Sequence, residues 1–234
     1  MTWRIPAEWR GETAFVLGGG ESLTGFDASI LRGRGRVVAI NDAGLILAPW
    51  ADLLFWSDPR WIEWNHAELH LHTGRWKACR HSAGARTPKC PPALSMRIAR
   101  ALAEHKVKHL AHDRLGALSR DPGRVAGACA GAGGVNAAFL AGAARIVLLG
   151  FDMRPGHWHG RHRKASRVER YPQFAAALAR MARSLAAARV ETLNARPAPP
   201  ASAGAGLPAG TESALDCFPK VRLEDVLERV RAAA

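Results

Sequence analysis

No apolar run in this 234-residue chain is long enough for a bilayer-crossing helix, so no membrane span is expected. The first residues carry Arg4, Glu8, Arg10 and Glu12 and lack the apolar stretch of a secretory signal, so the chain is expected to be cytoplasmic. Cysteine is sparse. The four present, Cys79, Cys90, Cys129 and Cys217, are widely and irregularly spaced, with no C-x-x-C pair. Without a secretory signal the thiols are expected to be reduced. A zinc site built on Cys79, His81 and Cys90 would lack a fourth ligand, and no metal site is assigned. There is no Gly-Lys-Ser/Thr, which excludes a P-loop, and no recognisable Ser-His-Asp arrangement. Lysine is scarce, so arginine supplies most of the formal net charge of +13. Arginine grips phosphate or carboxylate with two parallel N–H donors, so the expected partners are anionic: a nucleotide, a nucleic acid or an acidic glycan.

What is present is a regular alternation. The apolar fraction of 48% can furnish a core for one main domain. Residues 13–17, 36–40, 52–56 and 145–149 are short, continuous apolar runs of the buried-strand type. Short helices are expected between the first three, at 26–31 and 43–48, and after the third at 60–70. Further strands are expected at 75–80, 107–111 and 190–193, and further helices at 94–105, within 131–144, at 171–189 and at 223–231. Strands alternating with helices predict an α/β fold: a Rossmann-like three-layer sandwich on a mostly parallel sheet. It should span 1–195, with a basic lid at 154–170, a flexible connection at 196–210 and a C-terminal helical extension at 211–234.

A parallel sheet binds its ligand beyond the C-terminal ends of its strands. Polar residues gather at those ends: Ser22, Asn41, Asp42, Ser57, Asp58, Asp152 and Asn194. Gly18, Gly19 and Gly20 follow the first strand, where they would allow unusual backbone conformations and close approach of a phosphate. The dinucleotide fingerprint is incomplete, since Leu23 stands at the third glycine position. Asn41 and Asp42 lie where an acidic residue would meet a ribose, or where a helix cap would sit; Asp58 and Asp152 have the same two readings. Residues 154–164 hold His157, His159 and His162 among arginines and a lysine. They are read as an anion-gripping lid with one histidine as general base, as a solvated basic loop, or as metal ligands, for which no carboxylate partner is evident beyond Asp152. Trp50, Trp56, Trp61 and Trp64 would stack a base or sugar, or pack; packing is preferred for Trp56.

Three stretches carry a resemblance: F-V-L-G-G-G-E-S-L at 15–23, V-V-A-I-N-D-A at 37–43, and the segment 131–153 ending in R-I-V-L-L-G-F-D-M. They resemble uncharacterised phage and prophage proteins, which continue with a His-Trp-x-Gly-x-His run like 157–162 here. The same order resembles bacterial sialyltransferases of the Campylobacter type and the archaeal-type hydroxymethylpterin pyrophosphokinase family. The resemblance implies that Gly18, Gly20 and Ser22 face donor phosphate or ribose and that Asn41 contacts the nucleotide. It further implies that Gly133, Gly134 and Asn136 line the donor pocket and that His157, His159 or His162 is catalytic. The pyrophosphokinase likeness would instead require Mg²⁺ held by Asp58 and Asp152. The expected activity is therefore nucleotide-dependent transfer, with a CMP- or UDP-linked sugar as donor and a glycan or nucleic acid as acceptor. The alternatives are Mg²⁺-dependent pyrophosphoryl transfer and a non-catalytic phage accessory or nucleic-acid-binding role.

Overall fold

The computed structural model describes residues 3–58, 60–80, 92–160, 168–198 and 213–232. The apolar runs set its frame. β1 (Thr13–Leu17), β2 (Arg36–Ile40), β3 (Leu53–Trp56), β4 (Trp76–Cys79) and β5 (Lys108–His109) step outward to one side. A separate two-stranded pair, β6 (Ala111–His112) and β7 (Arg124–Val125), follows. β8 (Arg145–Leu149), β9 (Glu191–Arg196) and β10 (Lys220–Arg222) then step outward on the other side of β1. The sheet order is β10-β9-β8-β1-β2-β3-β4-β5, and every pairing in it is parallel. The chain is thus an α/β, Rossmann-like three-layer sandwich.

Both faces of the central strands are covered, which is why β1 and β8 are continuously apolar rather than alternating. On one face, Ala14, Val16, Val38 and Phe55 pack under α3 (Ala130–Leu140) and α4 (Tyr171–Ala187). The buried positions of α4, Phe174, Ala177, Leu178, Met181 and Leu185, recur at helical spacing and form its sheet-facing stripe. α3 is built almost wholly of small residues and lies close against the sheet. A Cβ on Gly133 would come 2.7 Å from the Phe55 ring, and one on Gly134 would collide with Ile40. The opposite face carries α1 (Arg60–Asn65), α2 (Pro92–Glu104), α5 (Leu223–Ala232) and several 3-10 turns, over Phe15, Leu17, Leu54 and Trp56.

Three details depart from the sequence reading. The expected helices at 26–31 and 43–48 are single 3-10 turns, Ala28–Leu31 and Asn41–Gly44, because so few residues cannot repay helix nucleation. The strand expected at 107–111 is divided between β5 and β6, which belong to different sheets. The C-terminal segment does more than add a helix: β10 forms the sheet edge beside β9, and Leu223 and Val226 of α5 are buried behind it. Positions 82–91 of the loop read at 82–92, most of the connection at 196–210, and His81 and Cys90 lie outside the described residues, and residue 92 opens α2. Among the described residues no helix is long and apolar enough to cross a membrane.

Candidate functional site

Strand order reverses between β1 and β8, and in such sheets the crevice at the reversal takes the ligand. A cleft of roughly 960 Å³ opens there. It is lined by the ends of β1, β2, β3, β4 and β8, the start of α3, and the segment following β8.

Gly18, Gly19 and Gly20 form its floor. None of the three has a positive φ, so they are not needed for unusual backbone conformation. They are needed for space. A Cβ on Gly18 would lie 2.6 Å from the Gly150 carbonyl, one on Gly19 2.9 Å from the His157 imidazole, and one on Gly20 2.5 Å from the Asp152 carboxylate. The loop is stitched to the end of β8 by Gly18 N–H donating to Leu149 O at 2.7 Å and Gly20 N–H to Gly150 O at 2.9 Å.

Ser22 does not face the cleft. Its hydroxyl donates to Asp152 Oδ1 at 2.6 Å and its N–H to Oδ2 at 2.8 Å, so it is removed from the phosphate-facing set. The chain's own carboxylate occupies the anion position that the loop offers beside Ser22. Asp152 itself lines the cleft, with 9% of its surface exposed.

The segment after β8 folds down over the glycines. Its start is marked by Met153 at φ +52°, a left-handed conformation uncommon for a residue with a side chain. The Trp158 N–H donates to Gly19 O at 3.4 Å. His157 and His159 line the cleft with ring centroids 5.7 Å apart, and Trp158 meets His159 edge-on at 4.7 Å. His162 and the neighbouring basic residues at 161–164 lie outside the described residues.

Across the cleft, Asn41 ends β2 at φ +53° and lines the wall. Left-handed non-glycine residues concentrate at binding sites, where the surrounding structure holds the strain. Asp42, read as meeting a ribose or capping a helix, also lines the wall and is bonded to protein side chains. Trp61 Nε1 donates to its Oδ1 at 2.7 Å, and His159 Nε2 lies 3.3 Å from its Oδ2. Asp58 caps α1 and is gripped by Arg60: Nε and the backbone N–H each reach Oδ1 at 3.0 Å, and Nη2 reaches Oδ2 at 2.5 Å.

The α3 end supplies Ala128, Cys129, Ala130 and Gly131 to the lining. Burial pushes the Cys129 thiol up, with the Ala132 N–H and then Arg80 opposing. Arg80 donates to Gly127 O and, with Arg60, Arg154 and Arg170, makes the cleft rich in guanidinium groups.

The expectation for Gly133, Gly134 and Asn136 is corrected. The two glycines face Phe55 and Ile40 in the core. Asn136 is fully buried. Its Oδ1 accepts from Ser119 N–H at 2.9 Å and Ala126 N–H at 2.7 Å, and its Nδ2 donates to Ser119 O at 3.0 Å. It staples the preceding loop to α3. The cleft-lining residues here lie earlier, at Ala128 to Gly131 around the start of α3.

Sequence reasoning missed Arg60, Arg80 and Met153 as lining residues, while Arg154 and Arg170 belong to the basic lid read at 154–170. Arg80 was accessible to the strand-end rule, since it directly follows β4; Met153 carried no signal. Trp61 and Trp64 both line the cleft, whereas Trp56 is fully buried and touches Trp61 with centroids 4.9 Å apart. Among the described residues no group of three His, Cys, Asp or Glu side chains is placed to hold a metal ion. No protein-family model, curated protein or solved structure matches the chain.

Proposed function

We propose that the chain is a nucleotide-dependent transferase using a CMP- or UDP-linked sugar as donor. The observation that carries this reading is the cleft at the β1/β8 reversal, which combines a close-approach glycine floor, four arginines and two histidines. Its volume of roughly 960 Å³ suits a ligand of nucleotide-sugar size. The start of α3 and the guanidinium groups of Arg80, Arg154 and Arg170 would hold the departing phosphate, where donors aimed at developing charge contribute most. A histidine of the 154–160 segment would take the acceptor's proton. Asp58 and Asp152, the carboxylates a Mg²⁺-dependent pyrophosphoryl transfer would draw on, already engage Arg60 and Ser22, which favours sugar transfer. The basic composition fits an anionic acceptor, glycan or nucleic acid.

Thermal unfolding against CMP, UDP, GDP, ADP and ATP, each with and without Mg²⁺, tests the reading, since a ligand of the native state raises the midpoint by mass action. A dose-dependent, metal-independent rise with CMP or UDP supports it. A rise with ATP alone, and only with Mg²⁺, transfers the site to pyrophosphoryl chemistry. No rise with any nucleotide refutes both and leaves a binding protein.

A further inference from the structure

We infer that the donor is a nucleoside diphosphate sugar rather than a CMP-linked one, its two phosphates held by Arg80 and Arg170 at the start of α3; the assignment rests on the transfer reading above. Arg80 directly follows β4 and lines the cleft. Its Nη1 donates to the carbonyl of Gly127. Gly127 sits at φ +115°, and a Cβ there would lie 2.6 Å from the Ala132 Cβ, so the backbone that holds the guanidinium admits no other residue. The cation is thus in place before a ligand arrives. Burial pushes the Arg80 guanidinium below its ordinary value, and the one group whose charge opposes this is the Cys129 thiol, not a carboxylate. His112 is pushed down by burial and then by Arg80. Arg170 closes the 3-10 turn Val168–Arg170 before α4, and its charge also reaches Cys129. The two guanidinium groups therefore converge on one residue, the N-cap of α3, a helix whose first turn contains no acidic residue.

Among the described residues neither cation has a carboxylate partner. Arg80 bonds to the Gly127 carbonyl, and Arg170 lies over the Phe174 ring, 5.2 Å from its centroid. The carboxylates of the cleft are engaged elsewhere: Asp42 by Trp61, Asp58 by Arg60 and Asp152 by Ser22. Glu68 is exposed on the turn after α1, and Glu169 is exposed and forms no ion pair with Arg170. Residues 81–91, which follow Arg80, include no Asp or Glu. A charge drawn out of water without a partner is costly, so the missing complement is an anion. A single negative charge would leave one guanidinium uncompensated. The phosphodiester of a CMP-linked sugar brings one charge; the diphosphate of a UDP-linked sugar brings two, on adjacent phosphates that suit the planar forks of two arginines. In the transfer, the acceptor hydroxyl oxygen bonds to the sugar carbon and its proton passes to the base of the transfer. The bond from that carbon to the β-phosphate oxygen breaks, and its electron pair stays on the diphosphate. The leaving group gains negative charge at that moment, when cations already in place contribute most.

Isothermal titration of the full chain with the methyl esters of UMP and UDP tests the assignment, since the two share a base and differ by one charged phosphate; the cytidine pair controls for the base. In the better-bound series the diphosphate ester should bind at least about tenfold more tightly than the monophosphate ester, roughly one added charge-assisted contact. Arg80→Gln keeps an N–H for the Gly127 carbonyl and removes the charge, and should cut that preference below about threefold. Arg80→Lys keeps the charge and should retain more of the preference than Arg80→Gln. Without ligand, Arg80→Gln should unfold at a urea midpoint no lower than the wild type, because the charge it removes has no partner in the protein. A lower midpoint would make Arg80 a structural cation and overturn its role as the ligand's counter-ion, as would a preference that survives Arg80→Gln. Equal affinity of the wild type for mono- and diphosphate esters, a comparison that needs no variant, overturns the diphosphate assignment alone and leaves the transfer reading standing. Failure of both the uridine and the cytidine esters to bind overturns the transfer reading, and the diphosphate assignment falls with it.

Discussion

Substituting Gly20 by alanine separates two reasons for a glycine-rich loop. Gly20 sits at φ −68°, ψ 153°, a conformation any residue adopts. On backbone grounds alone, alanine should stabilise by about 0.4–1 kcal/mol through a less flexible unfolded chain. Space argues the other way. The new Cβ would lie 2.5 Å from Asp152 Oδ2, 2.6 Å from Asp152 Cγ and 2.7 Å from the Gly150 carbonyl oxygen. The carboxylate cannot simply swing aside, because Ser22 holds both of its oxygens, at 2.6 and 2.8 Å. Overpacking costs about 1–3 kcal/mol, and each lost hydrogen bond to a charged group about 1.5–3 kcal/mol. A net loss of about 2–4 kcal/mol is expected from these partly alternative costs, read as a lower urea midpoint at unchanged m-value. Gly19→Ala is the control. Its Cβ would meet only two atoms of the His157 ring, at 2.9 and 3.0 Å, and no backbone atom, so its cost should be smaller than that of Gly20→Ala by at least about 1 kcal/mol. Removing the obstacle in Asp152→Ala should reduce the cost of Gly20→Ala by at least about 1 kcal/mol. The cost should not fall to zero, because the Gly150 carbonyl remains. Equal losses in the two single variants, or additivity with Asp152→Ala, would refute the spatial account.

Three further outcomes are expected. His72 is 2% exposed; burial, and secondarily the nearby Lys77 charge, push its pKa down to about 4 from an ordinary 6.5. The unfolded chain therefore binds more protons between those values, so stability is full above about pH 6.5 and falls toward pH 4, by up to about 3 kcal/mol. Urea titrations of wild type and His72→Asn across this range should show the wild-type advantage shrinking with acid; a pH-independent difference would sink the argument. Asn136→Ala should destabilise by about 2–4 kcal/mol, because it strands two buried N–H groups and a carbonyl, while the nucleotide-induced thermal shift persists in the folded variant. Loss of that shift in a variant still folded at the assay temperature would return Asn136 to the binding site. Arg170→Ala removes an exposed guanidinium at the cleft rim and should weaken CMP or UDP binding by about 5- to 20-fold, more at low salt than at high; isothermal titration at two ionic strengths checks this.

The layered parallel fold and the end of the sheet that carries the site were legible in the amino-acid order. The runs at 13–17, 36–40 and 145–149 match β1, β2 and β8 residue for residue, because strands buried on both faces must be apolar throughout and are bounded by turn-forming residues. β10 escaped because Lys220 and Arg222 are exposed at a sheet edge and carry no apolar pattern. The cleft-facing positions of the three first glycines, Asn41, Asp42, Ser57, Asp58 and Asp152 followed from their places beyond strand ends, and those of His157 and His159 from the lid read at 154–164. Their partners did not follow. Ser22 and Asp152 are 130 positions apart, and no periodicity says that a loop after the first strand will meet one after the eighth. Asp42, Trp61 and His159 come together only because β2, α1 and the segment after β8 converge over one crevice. Local sequence determines which residues an element presents, since that depends on spacing and burial. Which of those residues bond to one another is decided by the order of strands in the sheet, and that order is a property of the tertiary structure alone.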